Sequence, residues 1–315
     1  FIGTNTSGYG TDANGVRYLT LDMGSGGQTV PDGSTAKVKV ALLNLGQSAD
    51  WTLAGGYVSN NNAADLGDFY QWGRVADGHQ NTVWSKNTSH VNQVLPYGTT
   101  PANTSDKIDY NISNPPVYDN QTHQVVASSG YYGKFIINNL AIYGRDWYCN
   151  SGSYDNGLWG TAKGKGRSNQ GSLNFNWDKP ANNPCPSGWR IPSIWNWWDI
   201  AGGNGSDNYP NANVTTIEDI AINNTWQIRS VSNNNTVYGG TIVTNSANEK
   251  IFLSDAGYRG VYDHYFGNSL TFYISSTASN VSNGICLLVI YKNGYSGYTE
   301  TNKIEGQCAR CFKEP

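Results

Sequence analysis

The stretch that decides the fold reads Asn183-Pro184-Cys185-Pro186-Ser187-Gly188-Trp189-Arg190-Ile191-Pro192-Ser193-Ile194-Trp195-Asn196-Trp197-Trp198-Asp199-Ile200-Ala201-Gly202-Gly203. Ser193 is a good N-cap, since its side-chain oxygen can accept from a backbone N–H that the first helical turn leaves unpaired. Gly202 and Gly203 form a stop. The residues between predict a helix from Ile194 to Ala201. Ile194, Trp197, Trp198 and Ala201 then share one face, and at helical spacing that face reads as core rather than as a ligand platform. A second, weaker helix is predicted around Thr216 to Ile222, with Glu218 and Asp219 near its start.

Outward from this segment the chain reads as strands. Alternating runs occur at Lys37 to Leu43, Gly133 to Ile142, Thr241 to Thr244, Ile285 to Tyr291 and Gln307 to Phe312. Long polar stretches rich in Asn, Ser, Gly and Thr separate them: Val58 to Ala64, Asn87 to Asn120, Cys149 to Asn174 and Gly202 to Val214. Tyr and Trp recur inside these stretches, which argues for ordered, packed loops. Two short helices among many strands predict an α+β class with a central antiparallel sheet.

Composition narrows the function classes. Only 14% of the 315 residues are charged, yet the mean hydropathy is −0.51, so the polarity comes from Asn, Ser, Thr and Gly. With 21 Tyr, 11 Trp and 37 Gly, the chain favours twisted strands joined by many turns. A net charge of −3 offers no basic footprint, so nucleic acid is not an expected partner. No apolar run approaches the roughly 18 residues of a spanning helix, and no membrane insertion is expected. The start at Phe1 fits a processed secreted protein or a trimmed fragment.

Enzyme motifs are sparse. There is no Gly-x-Ser-x-Gly elbow and no HExxH, and Gly164-Lys165-Gly166-Arg167-Ser168 lacks the spacing of a phosphate-binding loop, so Lys163, Lys165 and Arg167 read as a solvated loop. Five cysteines are too few for a disulfide-built scaffold, and their odd number leaves one over. Cys308 and Cys311 form a CxxC, but no second CxxC accompanies it and His79, His90, His123 and His264 lie far apart in sequence, which weighs against zinc. A redox CxxC should open a helix, whereas this one ends an apparent terminal strand.

The segment Asn183 to Ser193, with Asn196-Trp197 after it, resembles the CPxGWRxPTxxEW signature of the Fibrobacter succinogenes major paralogous domain family. Asn44-Leu45-Gly46 and Gly67-Asp68-Phe69-Tyr70-Gln71-Trp72-Gly73-Arg74 are similar to that family's NLG and GxYYQWGR blocks. Ala256-Gly257-Tyr258-Arg259, Ser275-Ser276-Thr277 and Gly306-Gln307-Cys308-Ala309-Arg310-Cys311 resemble its AGYR, WSST and GxSVRC blocks. The blocks keep family order and span roughly residues 37 to 313. The resemblance implies one domain over 37–315 behind a lead-in at 1–36, and a C-type-lectin-like or formylglycine-generating-enzyme-like fold. It also implies a setting in secreted and surface proteins of Bacteroidetes-type bacteria, fimbrial tips or phages, with no general catalytic activity. It implies a disulfide between Cys185 and Cys311, which would fit an oxidising compartment.

Departures from the family pattern locate the expected binding surface. Ile274 replaces a Trp, and Cys308-Ala309 replaces Ser-Val. Between Gly260 and Asn302 the pattern is interrupted by segments mixing Tyr, Asn, Asp, Ser and Gly, a paratope-like texture in which stiff amphipathic Tyr supplies contact area. Tyr262, Asp263, His264, Tyr265, Tyr273, Tyr291, Asn293, Tyr295 and Tyr298 are therefore expected to be exposed on one face, with Trp189 and Trp197 buried beneath as scaffold. The texture also resembles the variable region of lectin-fold proteins diversified by retroelements.

Calcium is a secondary expectation, because lectin-like folds hold it with Asp, Asn and Glu oxygens and the stretches Asp12-Ala13-Asn14-Gly15 and Asn176-Trp177-Asp178 carry those types. Neither continues into a full ligand set. For the formylglycine-type alternative, only Cys286 and Cys308 stand as candidates for the reacting pair, and they could equally face each other as a cross-strand disulfide. The reading carried forward is a non-enzymatic adhesion or receptor-binding module for a glycan or protein receptor, on a pilus, cell surface or phage tail. The competing class is a carbohydrate-active or formylglycine-generating enzyme.

Overall fold

The structure, a computed structural model, describes residues 8–22, 37–47, 67–81, 94–96, 107–138, 146–148, 157–159, 180–200, 225–233, 236–245, 247–254, 257–260, 263–265, 270–278, 284–291 and 296–313. In chain order the first strands are β1 (Tyr9–Thr11), β2 (Arg17–Asp22), β3 (Lys37–Asn44), β4 (Phe69–Gln71), β5 (Val94–Pro96), β6 (Lys107–Asp109) and β7 (Phe135–Ile137). After helix α1 (Ile194–Ile200) come β8 (Thr225–Asn233), β9 (Thr236–Thr244), β10 (Lys250–Ser254), β11 (Tyr258–Arg259) and β12 (Asp263–Tyr265). The last are β13 (Leu270–Ala278), β14 (Gly284–Tyr291), β15 (Ser296–Asn302), β16 (Gly306–Cys308) and β17 (Arg310–Lys313).

This overturns the α+β, C-type-lectin-like expectation. Among the described residues strand far outweighs helix, arranged as several mainly antiparallel sheets. The expectation gave two short helical patterns the weight of a layer. One of them, α1, is seven residues long, and the other, Thr216 to Ile222, lies outside the described residues. The abundant aromatic and β-branched residues go instead into paired strands.

One sheet runs β1-β2-β3-β17 and another β10-β9-β8; the largest, of eight strands, runs β15-β14-β13-β16-β11-β12-β5 with β4 also paired to β16. The segment before Lys37 thus contributes two strands to the sheet that holds β3. The strand expected over Gln307 to Phe312 is two strands, separated at Ala309, whose carbonyl accepts from Leu45 N–H at 2.9 Å. That break lets one short segment serve two sheets. β16 lies within the largest, while β17 pairs β3 with Arg310 opposite Asn44.

Helix α1 forms where the cap places it. Ser193 Oγ accepts from Asn196 N–H at 3.2 Å and Asn196 Oδ1 accepts from Ser193 N–H at 2.9 Å, a reciprocal arrangement of the capping-box kind with Asn as the returning side chain. A further orphan donor, Ile194 N–H, is met by Thr277 Oγ1 of β13 at 3.1 Å. Trp197 is fully buried, its ring centroid 5.5 Å from Tyr273 and 4.7 Å from Phe312. Trp72, Trp147, Trp159 and Trp189 complete a core built on indoles. Each such ring removes roughly 150–250 Å² from water, about 4–6 kcal/mol before the entropy of ordering is subtracted.

Gly73 shows how tightly this core closes. It sits at φ 82°, and a Cβ there would lie 2.5 Å from Leu158 Cβ, so both backbone conformation and space demand glycine.

Cys185 and Cys311 are bonded, with a sequence separation of 126. Beside the bridge, Arg190 and Phe312 exchange backbone hydrogen bonds of 2.9 and 2.8 Å. The bridge therefore ties the lead-in of α1 to β17. Closing a loop of this length restricts the unfolded chain strongly, and losing a native bridge typically costs about 2–5 kcal/mol. Cys185→Ser is expected to lower the melting temperature by several degrees under non-reducing conditions and to match the wild type once both are reduced. Equal melting of the two proteins without reductant would contradict this.

Candidate functional site

Register places several of the sequence candidates at one end of a meander. Strands β13, β14 and β15 are successive antiparallel neighbours, with Leu270 opposite Tyr291 and Ile290 opposite Ser296. The entry to β13, the end of β14 and the start of β15 therefore coincide. From Tyr265, the last residue of β12, to Leu270 the chain can span at most about 18 Å. In the sheet order, however, β11, β16 and β13 lie between Tyr265 of β12 and Tyr291 of β14, while Tyr298 follows two residues into β15, opposite Leu288.

The other end of β13 is fixed in the core. Tyr273, Ile274, Ser275, Ser276 and Thr277 are all buried. Trp72 Nε1 donates to Ser275 O at 3.0 Å and Ser276 N–H donates to Pro192 O at 2.8 Å, while Thr277 caps α1. Trp72, just after β4, and the Pro192–Ile194 lead-in of α1 thus grip one half of the strand whose other half leads to the candidate segments.

Tyr273 itself corrects the expectation of exposure. It is fully buried, packed against Trp197, with the Arg310 guanidinium carbon 5.9 Å from its ring centroid. β13 runs through it and buries it. Trp189 and Trp197 are buried as expected of scaffold. Asp263 and His264 lie in β12 opposite Pro96 and Leu95 of β5. Tyr262, Asn293 and Tyr295 lie outside the described residues, as do Cys149 and the stretch Asn176 to Asp178. Cys308 is wholly buried in β16, and Cys286 is opposite Glu300 in β14.

The Asp12 stretch, weighed for calcium, is organised by the protein's own donors. Asp12 Oδ1 accepts from Asn14 N–H and Val16 N–H, both at 2.9 Å, and Oδ2 accepts from Trp189 Nε1 at 2.6 Å with Lys313 Nζ at 3.5 Å. The Trp189 hydrogen bond, with the backbone donors and Lys313, holds this carboxyl below the usual carboxylate range. The arrangement is a clamp that pins the β1–β2 turn onto the CPSGW segment, where Asn14 Nδ2 also donates to Ser187 O at 3.0 Å. Among the described residues no three His, Cys, Asp or Glu side chains converge as a metal site would require. Among those residues, no helix is long and apolar enough to cross a membrane.

A buried polar cluster that sequence reading missed supports the floor of the large sheet. Gln71 Nε2 donates to Ile136 O at 2.8 Å and Ile304 O at 2.7 Å, and its Oε1 accepts from Arg74 Nη1 at 2.7 Å. Arg74 pairs with Asp77, whose other oxygen lies 2.6 Å from His79 Nδ1. His79 Nε2 accepts from Gln71 N–H at 3.1 Å, and the His79 carbonyl accepts from Arg259 Nη1 at 3.2 Å. The contacts fix the tautomer: Nδ1 carries the proton toward Asp77 and Nε2 is the acceptor. The signal available in the sequence was Gln71, Arg74 and Arg259 sitting among aromatic residues in short blocks.

No family model, no curated protein and no solved structure matches the chain.

The cluster makes stability depend on pH. Burial, reinforced by the Arg74 charge, pushes His79 down to about 4 from its ordinary 6.5. Asp77 stays well below the usual carboxylate range: burial works against this, but the His79 hydrogen bond and the Arg74 charge outweigh it. Between pH 6.5 and about 4 the unfolded chain binds a proton at this histidine and the folded chain does not, so stability falls as pH drops. At about 1.4 kcal/mol per pKa unit the loss is on the order of a few kcal/mol. Chemical denaturation at pH 7 and 4.5 should show that loss in the wild type and a shallower one in His79→Gln, whose side-chain carbonyl can still accept from Gln71. Parallel slopes would assign the acid sensitivity to other groups.

Proposed function

We propose that this chain is a secreted or surface-displayed, non-enzymatic binding module that recognises a glycan or protein receptor through the segments around Tyr262–Tyr265 and Tyr291–Tyr298. The observation that carries this reading is the division of β13: its second half is buried and gripped by Trp72, Pro192 and α1, while its first residue pairs with Tyr291 beside the candidate segments. Recognition loops rooted on a rigid base bind better because less ordering entropy is lost on contact.

Three further features support the reading. The candidate segments mix Tyr with small polar residues, as adaptable paratopes do. The Cys185–Cys311 bridge suits an oxidising compartment. The ordered blocks from Asn44 to Cys311 resemble the Fibrobacter succinogenes major paralogous domain family, whose members occupy bacterial surfaces, fimbrial tips and phage particles.

The test combines binding and stability. The isolated chain is applied to a glycan array and to intact bacterial and animal cells, beside the triple variant Tyr262→Ala, Tyr265→Ala, Tyr295→Ala. The expected result is saturable binding by the wild type, lost by the variant, with melting temperatures within a few degrees of each other. Binding that survives the triple change, or a variant that fails to fold, would place these tyrosines in the core and the ligand site elsewhere.

A further inference from the structure

The four-stranded sheet β1-β2-β3-β17 has two unlike faces. Leu19, Leu21, Val38 and Val40 are buried and form its core face. The residues between them belong to the other face, since side chains alternate along a strand. There Thr20 of β2 is opposite Lys39 of β3, and Lys39 is opposite Lys313 of β17, so one row holds two lysines side by side. All three residues reach solvent. Thr20, Lys39 and Lys313 are half-buried, and Lys37, two residues before Lys39, is exposed.

Each ammonium of the row is held by a ring. Lys39 Nζ lies over Tyr18, 5.1 Å from the ring centroid, and Lys313 Nζ lies over Trp189 at 5.8 Å. The two rings are tilted against one another, their centroids 6.0 Å apart. Tyr18 in turn lies across Gly10, the residue opposite it in β1, where a Cβ would strike the Tyr18 Cζ and hydroxyl. The lysines are therefore positioned charges, less free than lysines on an open surface. Gly188 stands exposed beside them, and even a Cβ there would lie only 3.5 Å from Lys313 Nζ. Bare backbone leaves that ammonium room for a ligand.

The charges of the row are not balanced from within. Like charges on directly opposite residues, whose Cβ atoms are about 4.5–5.5 Å apart, destabilise a sheet. Lys313 has Asp12 Oδ2 at 3.5 Å, but that carboxyl is shared with Trp189 Nε1 and with the N–H groups of Asn14 and Val16. Among the described residues no carboxylate meets Lys39. The chain carries a net charge of −3, so the row is a local exception rather than part of a basic surface. Charge complementarity calls for an anion. Strand addition cannot bring one, because β2 and β3 are paired on both sides and their face is read by side chains alone. Acidic residues on one face of an extended peptide recur only every 6.5–7 Å or so, whereas two adjacent ammoniums suit the two oxygens of a single carboxylate.

We propose that this outer face is a second binding site, for a carboxylate-bearing sugar of an acidic glycan, with the carboxylate bridging Lys39 and Lys313 and the sugar ring set against Tyr18. The site lies on a different sheet from the segments around Tyr265 and Tyr291. It stands or falls independently of the role given to them.

The full chain is titrated calorimetrically with oligogalacturonate and with sialyllactose, beside methyl-esterified oligogalacturonate, lactose and an oligoglutamate peptide. At least one acidic sugar is expected to bind about tenfold or more tightly than its uncharged counterpart, and to weaken as salt rises. Lys39→Gln keeps most of the stem over Tyr18 and removes the charge, so it should bind that sugar about tenfold more weakly while melting no lower than the wild type. Lys39→Arg should restore binding. In the wild type, the sugar should slow acylation of Lys39 and Lys313 by an amine-reactive ester, read by mass spectrometry of the peptides, which needs no variant to fold. Equal affinity for charged and uncharged sugars, unchanged affinity in Lys39→Gln, unprotected lysines or binding of oligoglutamate alone would each overturn the proposal. The variant Tyr262→Ala, Tyr265→Ala, Tyr295→Ala should bind the acidic sugar as the wild type does. Loss of binding there, with retention in Lys39→Gln, would move the site to those segments. Absence of binding to every acidic sugar would remove this site and leave the binding-module reading to its own test.

Discussion

A guanidinium or ammonium cannot leave water unless carbonyls, carboxylates or aromatic faces replace its hydration, and among the described residues this core takes in four of them: Arg74, Arg259, Arg310 and Lys303 are each 0–1% exposed. The rest of the structure depends on how those four are met. Arg310 donates from β17 to Ala41 O of β3 at 2.8 Å and to Phe252 O of β10 at 3.2 Å, so one side chain joins the four-stranded and three-stranded sheets. Lys303 lies 3.1 Å from Asp146 and 4.7 Å from the centre of the Trp72 ring, while Arg259 joins β11 to the His79 carbonyl. Apolar contacts slide; these cannot. A displacement large enough to free one donor would strand a charge, so these cations resist sliding, and Arg310 does so between β17 and β10, which share no ladder.

The same requirement explains why short strands suffice. β4, β11, β12 and β16 are two or three residues long, too short to be stable as isolated pairs. Two of them, β4 and β11, are also tied from the core side: His79 accepts from the Gln71 N–H of β4, and Arg259 of β11 donates to the His79 carbonyl. Stability here resides in directional bonds between loops and strand ends as much as in the indole core. That distribution makes the fold sensitive to the protonation state of a single imidazole.

Much of the local structure was legible. Ser193 announces the start of α1, and the alternation from Lys37 onward announces β3. The Cys185–Cys311 bridge followed from the family resemblance. The class was not legible, because a seven-residue helix and a nine-residue strand such as β9 leave traces of similar strength in a sequence rich in Trp, Tyr, Asn and Gly. Tyr273 is misplaced for a related reason: the polar residues after it suggest exposure, whereas Ser275 O and Thr277 Oγ1 are buried as acceptors for Trp72 and Ile194, and Ser276 N–H donates to Pro192 O. The row of Lys39 and Lys313 was invisible, since nothing in one sequence sets two lysines opposite each other on neighbouring strands. The register that aligns them joins positions more than two hundred residues apart.

The position of β16 and β17 has a consequence for the living cell. β3 and β4 are synthesised early, yet their partners are Arg310 to Lys313 and Gly306 to Cys308, near the other end of the chain. At about 5–20 residues per second, translation leaves those edges uncovered for on the order of 10 to 50 s. During that interval a nascent chain presents open strands to its neighbours on the same messenger, so crowded polysomes are where it is most prone to mispair.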